Sequence, residues 1–432
     1  MNKKNIAIIG SGIAGLSSAY LLSNYHNITI FEKEDYYGGH TRTVKLDYKK
    51  KNIYVDTGFI VFNEITYPDL SKFFDKLNVN IEKSNMSLSI TSNNLNFEYG
   101  SENFFYQIKT FSNIKFLRIM MDLIPFYIFS KNILKNNVFA NQTIDDFFIN
   151  SKYSKEFLNY HIYPIISSIW STNINDVKKF PMKSFMEFFI QNKLFNLFLR
   201  PKWKTLSNKG KSYIDKVINN TNIVKKNNCK IHNIKRNNKS INIFTKTNEY
   251  IFDEVILATH ADQALKIIDN PTTNENRILR NFKYNSCQIY LHEDINQMPK
   301  NRKIWSSWNY LGEIDNKFSL TYWMNKLQNL KIDKNLFVTV NPIKKIEYNK
   351  IINKHNFEHP IFTIDNENSK KELNLIQGVD KIWFTGSYFG YGHHEDAIQS
   401  SISIAKKMGI NIPWKRDHNL DNRISILDNY YE

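Results

Sequence analysis

The chain turns apolar at Ile6 and stays so to Ile9, a short run without alternation that predicts a strand buried on both faces. Small and apolar residues then recur at helical spacing over Ile13–Leu22, and a second run, Ile28–Phe31, predicts another buried strand. A strand–helix–strand unit of about thirty residues therefore opens the chain. A further strand is expected around Ile53–Phe62.

From about Pro68 the pattern changes. Residues 68–78 read as helix, 86–99 as strands, and 101–200 as mostly helical and dense in aromatic residues. Near Thr205 it changes back. The stretch 229–261 reads as two strands followed by a buried strand over Glu254–Thr259. A β-rich block covers roughly 284–342, and "KIWFTGS" (381–387) predicts a last buried strand before a helix beginning near Asp396. Nucleotide-binding texture thus lies at the start, middle and end of the chain, interrupted twice. This predicts an α/β protein in which residues 1–66, 205–283 and 360–432 form a discontinuous Rossmann-like domain. Residues 67–204 (mostly helical) and 284–359 (β-rich) form an inserted α+β substrate domain.

Composition narrows the partners. Of 432 residues, 58 are basic and 41 acidic, a net charge of +17. The excess is spread along the chain, and neither a zinc-finger pattern nor an RNP motif is present, so nucleic acid is not an expected partner. Cys229 and Cys287 are the only cysteines, which gives no disulfide framework and points to a reducing, cytoplasmic setting. Lys3 and Lys4 precede the first apolar run, but glycines at fixed offsets and no small-residue cleavage site argue against a signal peptide. The most apolar stretch, Phe116–Leu134, is broken by Arg118, Asp122 and Pro125, so a spanning helix is not expected.

Gly10-Ser11-Gly12-Ile13-Ala14-Gly15 is G-x-G-x-x-G between a predicted strand and helix. The first glycine permits the tight turn, the second admits a pyrophosphate to the backbone, and the third lets helix and strand pack closely. The helix N-terminus then holds the anion. Glu32, 22 residues after Gly10, ends the second strand, where a carboxylate binds ribose hydroxyls. NAD and FAD present the same pyrophosphate, so the choice rests on later residues. "GGHTRT" (Gly38–Thr43) supplies a second glycine pair that a NAD domain does not need, and Arg42 is placed to neutralise a pyrophosphate. "DTGFIVFN" (Asp56–Asn63) follows, and "WFTGSYFGYGHHEDAIQSSISIA" (Trp383–Ala405) puts a glycine-rich stretch before the last helix. The N-terminus of that helix suits the negative edge of a reduced flavin. FAD is the expected cofactor.

With these stretches, "RPKWKTLS", "VILATHADQAL", "SWNYLG", "TYWMNKLQ", "EHPIF" and "GYGHHEDAI" make the chain resemble, over nearly its full length, the flavin-containing amine oxidase and phytoene desaturase superfamily. More narrowly it is similar to a bacterial branch described as NAD/FAD-binding proteins and associated with fatty acyl chain modification. The resemblance implies a glutathione-reductase-like FAD domain. It implies that Gly10, Gly12, Gly15 and Glu32, with Ile13, Ala14 and Lys33 beside them, hold the ADP half. Gly39 and Arg42, with His40, Thr41, Thr57 and Gly58, would follow the pyrophosphate and beyond. Ile231, on a strand, would meet the adenine, Gly386 the pyrophosphate or ribityl chain, and Asp396, Ala397 and Ile398 the isoalloxazine. The chain departs from the branch at Ala397 and Ser401, where glycines are usual, at Asn208-Lys209-Gly210, where Gly-Gly-Ser is usual, and at His40, where the superfamily has arginine.

The implied chemistry is oxidation, desaturation or isomerisation of a fatty acyl chain by hydride transfer to flavin N5. His393 and His394, ahead of the last helix, are the candidates for moving a proton. His260 reads as structural or cofactor-contacting. His292, His355 and His359 have no metal-ligand spacing, since Pro360 and a loop-like setting argue against His355 and His359 as a pair, and no metal is expected. Trp305, Trp308, Tyr310, Tyr322 and Trp323 read as core aromatics, with a cavity wall as the alternative. The aromatic blocks 104–134 and 185–203 read as packed helices, with contact at an anionic inner membrane face as the alternative. Beyond the hydrophobic or lipid substrate, three rival functions stay open: an amine oxidase, a flavin-bound lipid-binding protein without catalysis, and an NAD-dependent dehydrogenase.

Overall fold

Five short runs converge into one parallel sheet. In this computed structural model, which describes residues 2–92, 97–102, 113–135, 139, 141–196, 201–314, 317–416 and 422–424, its order is Ile223–Lys226, Asn27–Phe31, Asn5–Ile9, Glu254–Leu257, Ile382–Phe384. All four neighbouring pairs are parallel, with Ile8 beside Ile30 on one side and Ile256 on the other. The central strands are covered on both faces, which is why they read as unbroken apolar runs.

The helix Ile13–Leu22, hereafter the phosphate helix, packs against the helix His394–Lys407, hereafter the closing helix. Ser401 sits in that seam. Its hydroxyl donates to the Ala14 carbonyl at 2.9 Å and lies 2.9 Å from the Ser17 hydroxyl. The serine that departs from the branch's usual glycine therefore replaces close backbone contact with two hydrogen bonds. Gly15 keeps the other side of the phosphate helix tight: a Cβ there would stand 1.9 Å from the Gly10 carbonyl oxygen.

The second sheet has seven strands in the order Ile351–Ile361, Lys283–His292, Phe337–Val340, Lys317–Trp323, Trp308–Ile314, Leu88–Ser92, Phe97–Gly100. It is antiparallel except where Leu88–Ser92 meets Trp308–Ile314. A helical block, including Ile114–Lys135, Tyr163–Trp170 and Met182–Gln191, builds a separate core of Phe126, Phe157, Tyr163, Phe185 and Phe189. Residues 104–112 and 197–200 of the two aromatic blocks lie outside the described residues.

Some expectations are corrected. The strand expected around Ile53–Phe62 is two: Lys51–Asp56 pairs with Thr43–Tyr48, and Val61–Phe62 pairs with Lys204–Leu206. The chain turns between them because Gly58 backs onto the His40 carbonyl, where a Cβ would stand 1.9 Å away. The stretch before Glu254 holds three antiparallel strands, Asn233–Arg236, Ile241–Phe244 and Glu249–Phe252, rather than two. The helix Lys211–Ile218, whose Tyr213, Ile214, Val217 and Ile218 recur at helical spacing, and the edge strand Ile223–Lys226, which ends in two lysines, stand outside the expected elements. The helix Pro68–Lys76, on the substrate side of the expected boundary, buries Leu70, Phe73 and Phe74 in the core of the parallel sheet. We keep the five-part division as a proposal, with this helix on the nucleotide side.

Gly15→Val is expected to cost about 1–3 kcal/mol by overpacking. A thermal melt showing a lower midpoint supports this seam, and an unchanged midpoint refutes it.

Candidate active site

A cleft of about 1070 Å³ runs along the carboxyl ends of the parallel strands and opens between the two sheets. Ligands of open α/β sheets bind at these strand ends. Three distant pieces of chain line it: the phosphate loop with residues 31–40 and 57–59, the segment 229–232 with 258–267, and the segment 386–397. The β sheet wall contributes Tyr284, Ile289, Tyr322, Val340 and Phe357.

At one end the loop glycines set the surface. Gly10 holds φ +100° and a Cβ there would stand 2.6 Å from the Ala258 carbonyl oxygen. Gly12 opens the phosphate helix, and a Cβ on it would meet nothing within 4 Å, so its backbone faces free space. Gly38 donates from its N–H to the Ser11 carbonyl at 3.0 Å, which seats the second glycine pair directly on the phosphate loop. Glu32 accepts from the Ser11 N–H at 3.0 Å, the Ser11 hydroxyl at 2.5 Å and the Glu34 N–H at 3.0 Å. These use three of about four carboxylate lone pairs and leave one for a ribose hydroxyl.

At the other end the closing helix starts at His394, two residues earlier than expected, with its N-terminus at the cleft. His394 stacks on Phe59 with centroids 4.0 Å apart, and its Nε2 lies 3.1 Å from the Thr41 hydroxyl. His393 stacks on Phe188 at 4.9 Å, and its Nδ1 is 3.9 Å from Asp396 Oδ2, too long for a hydrogen bond. Burial pushes His393 down to about 4 and His394 to about 3, so both are neutral at pH 7. They can donate or accept a hydrogen bond there but bring no charge.

Between the ends lies a group of histidines. His40 stacks on Phe357 at 4.5 Å and lies 5.8 Å from His260 and 5.6 Å from His359, centroid to centroid. His260 stacks on Tyr284 and approaches Glu358 Oε2 at 3.2 Å. Burial, then the neighbouring imidazoles, hold His40 well below its usual range, and burial pushes His359 down to about 4. No metal-binding cluster of His, Cys, Asp or Glu occurs among the described residues.

Behind the closing helix, three buried acids meet where two helices begin. Glu395 accepts from the N–H groups of Asp69 and Leu70 at 3.0 and 2.9 Å, capping the helix Pro68–Lys76. Asp69 takes Trp414 Nε1 at 2.9 Å and Arg416 Nη2 at 2.9 Å. Asp396 accepts from the N–H groups of Tyr391 and His393 at 3.0 and 2.8 Å, with Arg423 Nε 3.4 Å away. Burial and the Asp69 charge push Glu395 up to about 8.

Of the residues expected at a cofactor, Gly10, Gly12, Ile13, Ala14, Glu32, Lys33, Gly39, His40, Thr57, Gly58, Ile231, Gly386 and Ala397 line the cleft, as do His393 and His394. Five do not. Gly15 faces the strand, as above. Thr41 is buried behind the wall, bonded to His394 and Tyr213. The Arg42 guanidinium lies 4.8 Å over the Tyr36 ring instead of in the cleft, and the lining cations are Lys33, Lys230 and Lys266. Asp396 turns back to cap its own helix, and Ile398 is core. Ile231 lines the cleft from the loop before Asn233–Arg236 rather than from a strand. Of the five strand aromatics only Tyr322 reaches the cleft. Phe59, His359 and Tyr388 were missed as site residues; none has a spacing signature.

The residues fit a dinucleotide with a third ring system. Two buried polar atoms on lining residues, Tyr388 Oη and His359 Nδ1, have no partner among the described residues. Such atoms call for a ligand.

Known proteins agree with this geometry. Residues 8–77 match the family described as NAD(P)-binding Rossmann-like domain. Over 58 residues, 13% of the chain, it is 41% identical to L-amino acid oxidase Cdc18 of Crotalus durissus cumanensis and to an L-amino-acid oxidase of Crotalus adamanteus. The matched part spans about a tenth of those proteins, 11% and 10%. Among solved structures, a CLA-producing fatty acid isomerase from P. acnes superposes with TM-score 0.65 at 13% identity, covering 94% of this chain and 99% of that one. Putrescine oxidase bound to putrescine gives TM-score 0.67 at 11% identity, covering 94% and 99%. Cyclohexylamine oxidase from Brevibacterium oxydans IH-35A gives TM-score 0.63 at 12% identity, covering 94% and 100%. The class is a fold with a Rossmann-like parallel sheet, a second and largely antiparallel sheet, and a cleft between them. Within that class, the chain shares the fold of these oxidase and isomerase structures.

The buried histidines predict a pH profile. His292, His355, His359 and His393 are pushed to about 4 and His394 to about 3, first by burial. In the unfolded chain they titrate near about 6.5. The unfolded state thus binds protons the folded state refuses, so this stabilisation is complete above that pH and drains as pH falls toward 4. Asp56, raised by burial to about 6, and Glu395 act in the opposite sense, their contribution fading as pH rises. Five groups outweigh two, so the thermal midpoint is expected to drop between pH 6.5 and 4; a flat or rising midpoint there contradicts the neutral histidines.

Proposed function

We propose that this chain is an FAD-dependent oxidoreductase acting on a hydrophobic substrate, with fatty acyl chains as the substrate class. The observation that carries the cofactor is the single cleft joining the phosphate loop at Gly12 to the start of the closing helix at His394. FAD, when bound, supplies a flavin ring that accepts a hydride at N5.

The chain's own residues divide the remaining work. Gly10, Gly12, Gly39 and Glu32 would hold the ADP half, with Lys33, Lys230 and Lys266 supplying positive charge along the wall. The N-terminus of the closing helix favours negative charge at the far end. His393 and His394, neutral and clamped by Phe188 and Phe59, would orient groups by hydrogen bonding, each holding one proton on its ring. Phe59, Tyr284, Tyr322, Phe357 and Tyr388 give the cleft an aromatic wall that excludes water. That wall, with Ile289 and Val340, supports an apolar substrate. The likeness to a fatty acid isomerase is one of fold and supports the acyl reading only to that extent; the likeness to putrescine and cyclohexylamine oxidases keeps amine oxidation as the second reading.

The purified protein is expected to be yellow, with the visible absorption of oxidised flavin. Glu32→Ala is expected to weaken FAD binding about tenfold or more, the loss of one charge-assisted hydrogen bond, read by titration of the apoprotein. Anaerobic mixing with fatty acids or phospholipids should bleach the flavin. Bleaching by amines alone, with peroxide on admission of air, moves the assignment to an amine oxidase. Bound flavin that nothing reduces makes the protein a lipid-binding flavoprotein, and a colourless protein that takes up no FAD refutes the cofactor and revives a nicotinamide dehydrogenase.

A further inference from the structure

The helix Ile114–Lys135 is apolar on two faces. Its inner face buries Phe116, Ile119, Phe126 and Tyr127 in the helical core. Its outer face presents Ile114, Leu117, Met121, Ile124 and Ile128, exposed by 67, 41, 73, 45 and 59%. The spacing is three, four, three, four, so these five form one stripe along the helix. A surface helix of a globular protein ordinarily turns polar residues outward. A third of the large apolar residues exposed among the described residues, five of fifteen, lie on this one helix.

Charge decides what covers it. Lys115 and Arg118 flank the stripe on the helix, and the adjoining segment 152–157 adds Lys152 and Lys155, all exposed. Two acids share this edge, and both are engaged: Asp122 accepts from the Ser154 N–H at 2.8 Å, and Glu156 pairs with Arg118 at 3.0 Å. Four cations against two committed acids, on a chain of net charge +17, suit an anionic surface. A second copy of this chain suits the stripe less well. The stripe from Ile114 to Ile128 spans about two heptads, with Pro125 inside the helix, and falls short of the three to four a coiled coil needs. Five side chains also fall short of the roughly 800 Å² per partner of a stable interface.

We propose that this stripe docks in the headgroup region of an anionic bilayer, with the helix lying in the membrane plane. None of the described helices is long and apolar enough to cross a membrane, so the contact is peripheral. The docked helix shares its core with Phe188, which stacks on His393 at the cleft. The surface contact and the cleft are thus two ends of one aromatic body, and the docking stands whatever chemistry the cleft performs.

Co-sedimentation of the purified full chain with vesicles tests it. Binding is expected to phosphatidylcholine vesicles containing phosphatidylglycerol, to weaken as salt rises, and to fall off on phosphatidylcholine alone. The double variant Met121→Gln with Ile124→Gln is expected to lose about tenfold or more in vesicle affinity with an unchanged thermal midpoint. Lys152→Glu with Lys155→Glu, outside the helix, is expected to weaken binding at low salt, so the proposal does not depend on one variant folding. Equal partition of wild type and both variants overturns it. So does a wild-type dimer on gel filtration that Met121→Gln with Ile124→Gln converts to monomer, which assigns the stripe to self-association.

Discussion

The arrangement rests on one close approach: the phosphate helix and the closing helix, more than 350 residues apart in sequence, lying against each other with Ser401 between them. Gly15 fixes the phosphate helix to its own strand, and Ser401 fixes the closing helix to the phosphate helix. Together they put two helix N-termini on one cleft, one at each end. Two positive helix ends facing the same space favour a ligand with negative charge at both, such as a pyrophosphate and an electron-rich ring.

Each end of the cleft is stiffened from behind. At the phosphate end Ser11 binds Glu32 twice and receives the Gly38 N–H, so loop, Glu32 and second glycine pair are tied together. At the closing end the acids Glu395, Asp69 and Asp396 are tied to helix N–H groups and to Arg416 and Arg423. Buried carboxyl groups are tolerated only when hydrogen-bonded and, where charged, paired in this way. Segments 414–416 and 422–424 thereby help hold the helix that carries His393 and His394, although neither lines the cleft.

The sequence made some of this plain and hid the rest for physical reasons. Buried parallel strands announce themselves as unbroken apolar runs, and G-x-G-x-x-G has few other uses between a strand and a helix. Side-chain direction is another matter. His40 and Arg42 are two residues apart, yet His40 meets the cleft while Arg42 stacks on Tyr36. Asp396 looked like a cofactor contact because it opens the predicted helix. The helix begins at His394, and from its third position the carboxylate turns back to cap. The aromatics that wall the cleft, Phe59 and Tyr388 among them, come from separate segments and share no period that a linear reading could detect.

The order of strands in the parallel sheet also governs how the protein is made. The central strand Asn5–Ile9 leaves the ribosome before its partners, and the one on one side, Glu254–Leu257, follows some 245 residues later. At about 5–20 residues per second, that edge stays open for roughly 10–50 s of synthesis. Throughout that interval Ile6, Ala7, Ile8 and Ile9 present an unfilled apolar border, of the kind that nascent-chain chaperones shield and that aggregates recruit. The arrangement that brings three remote segments to one cleft thus leaves this border of the growing chain open until Glu254–Leu257 has emerged.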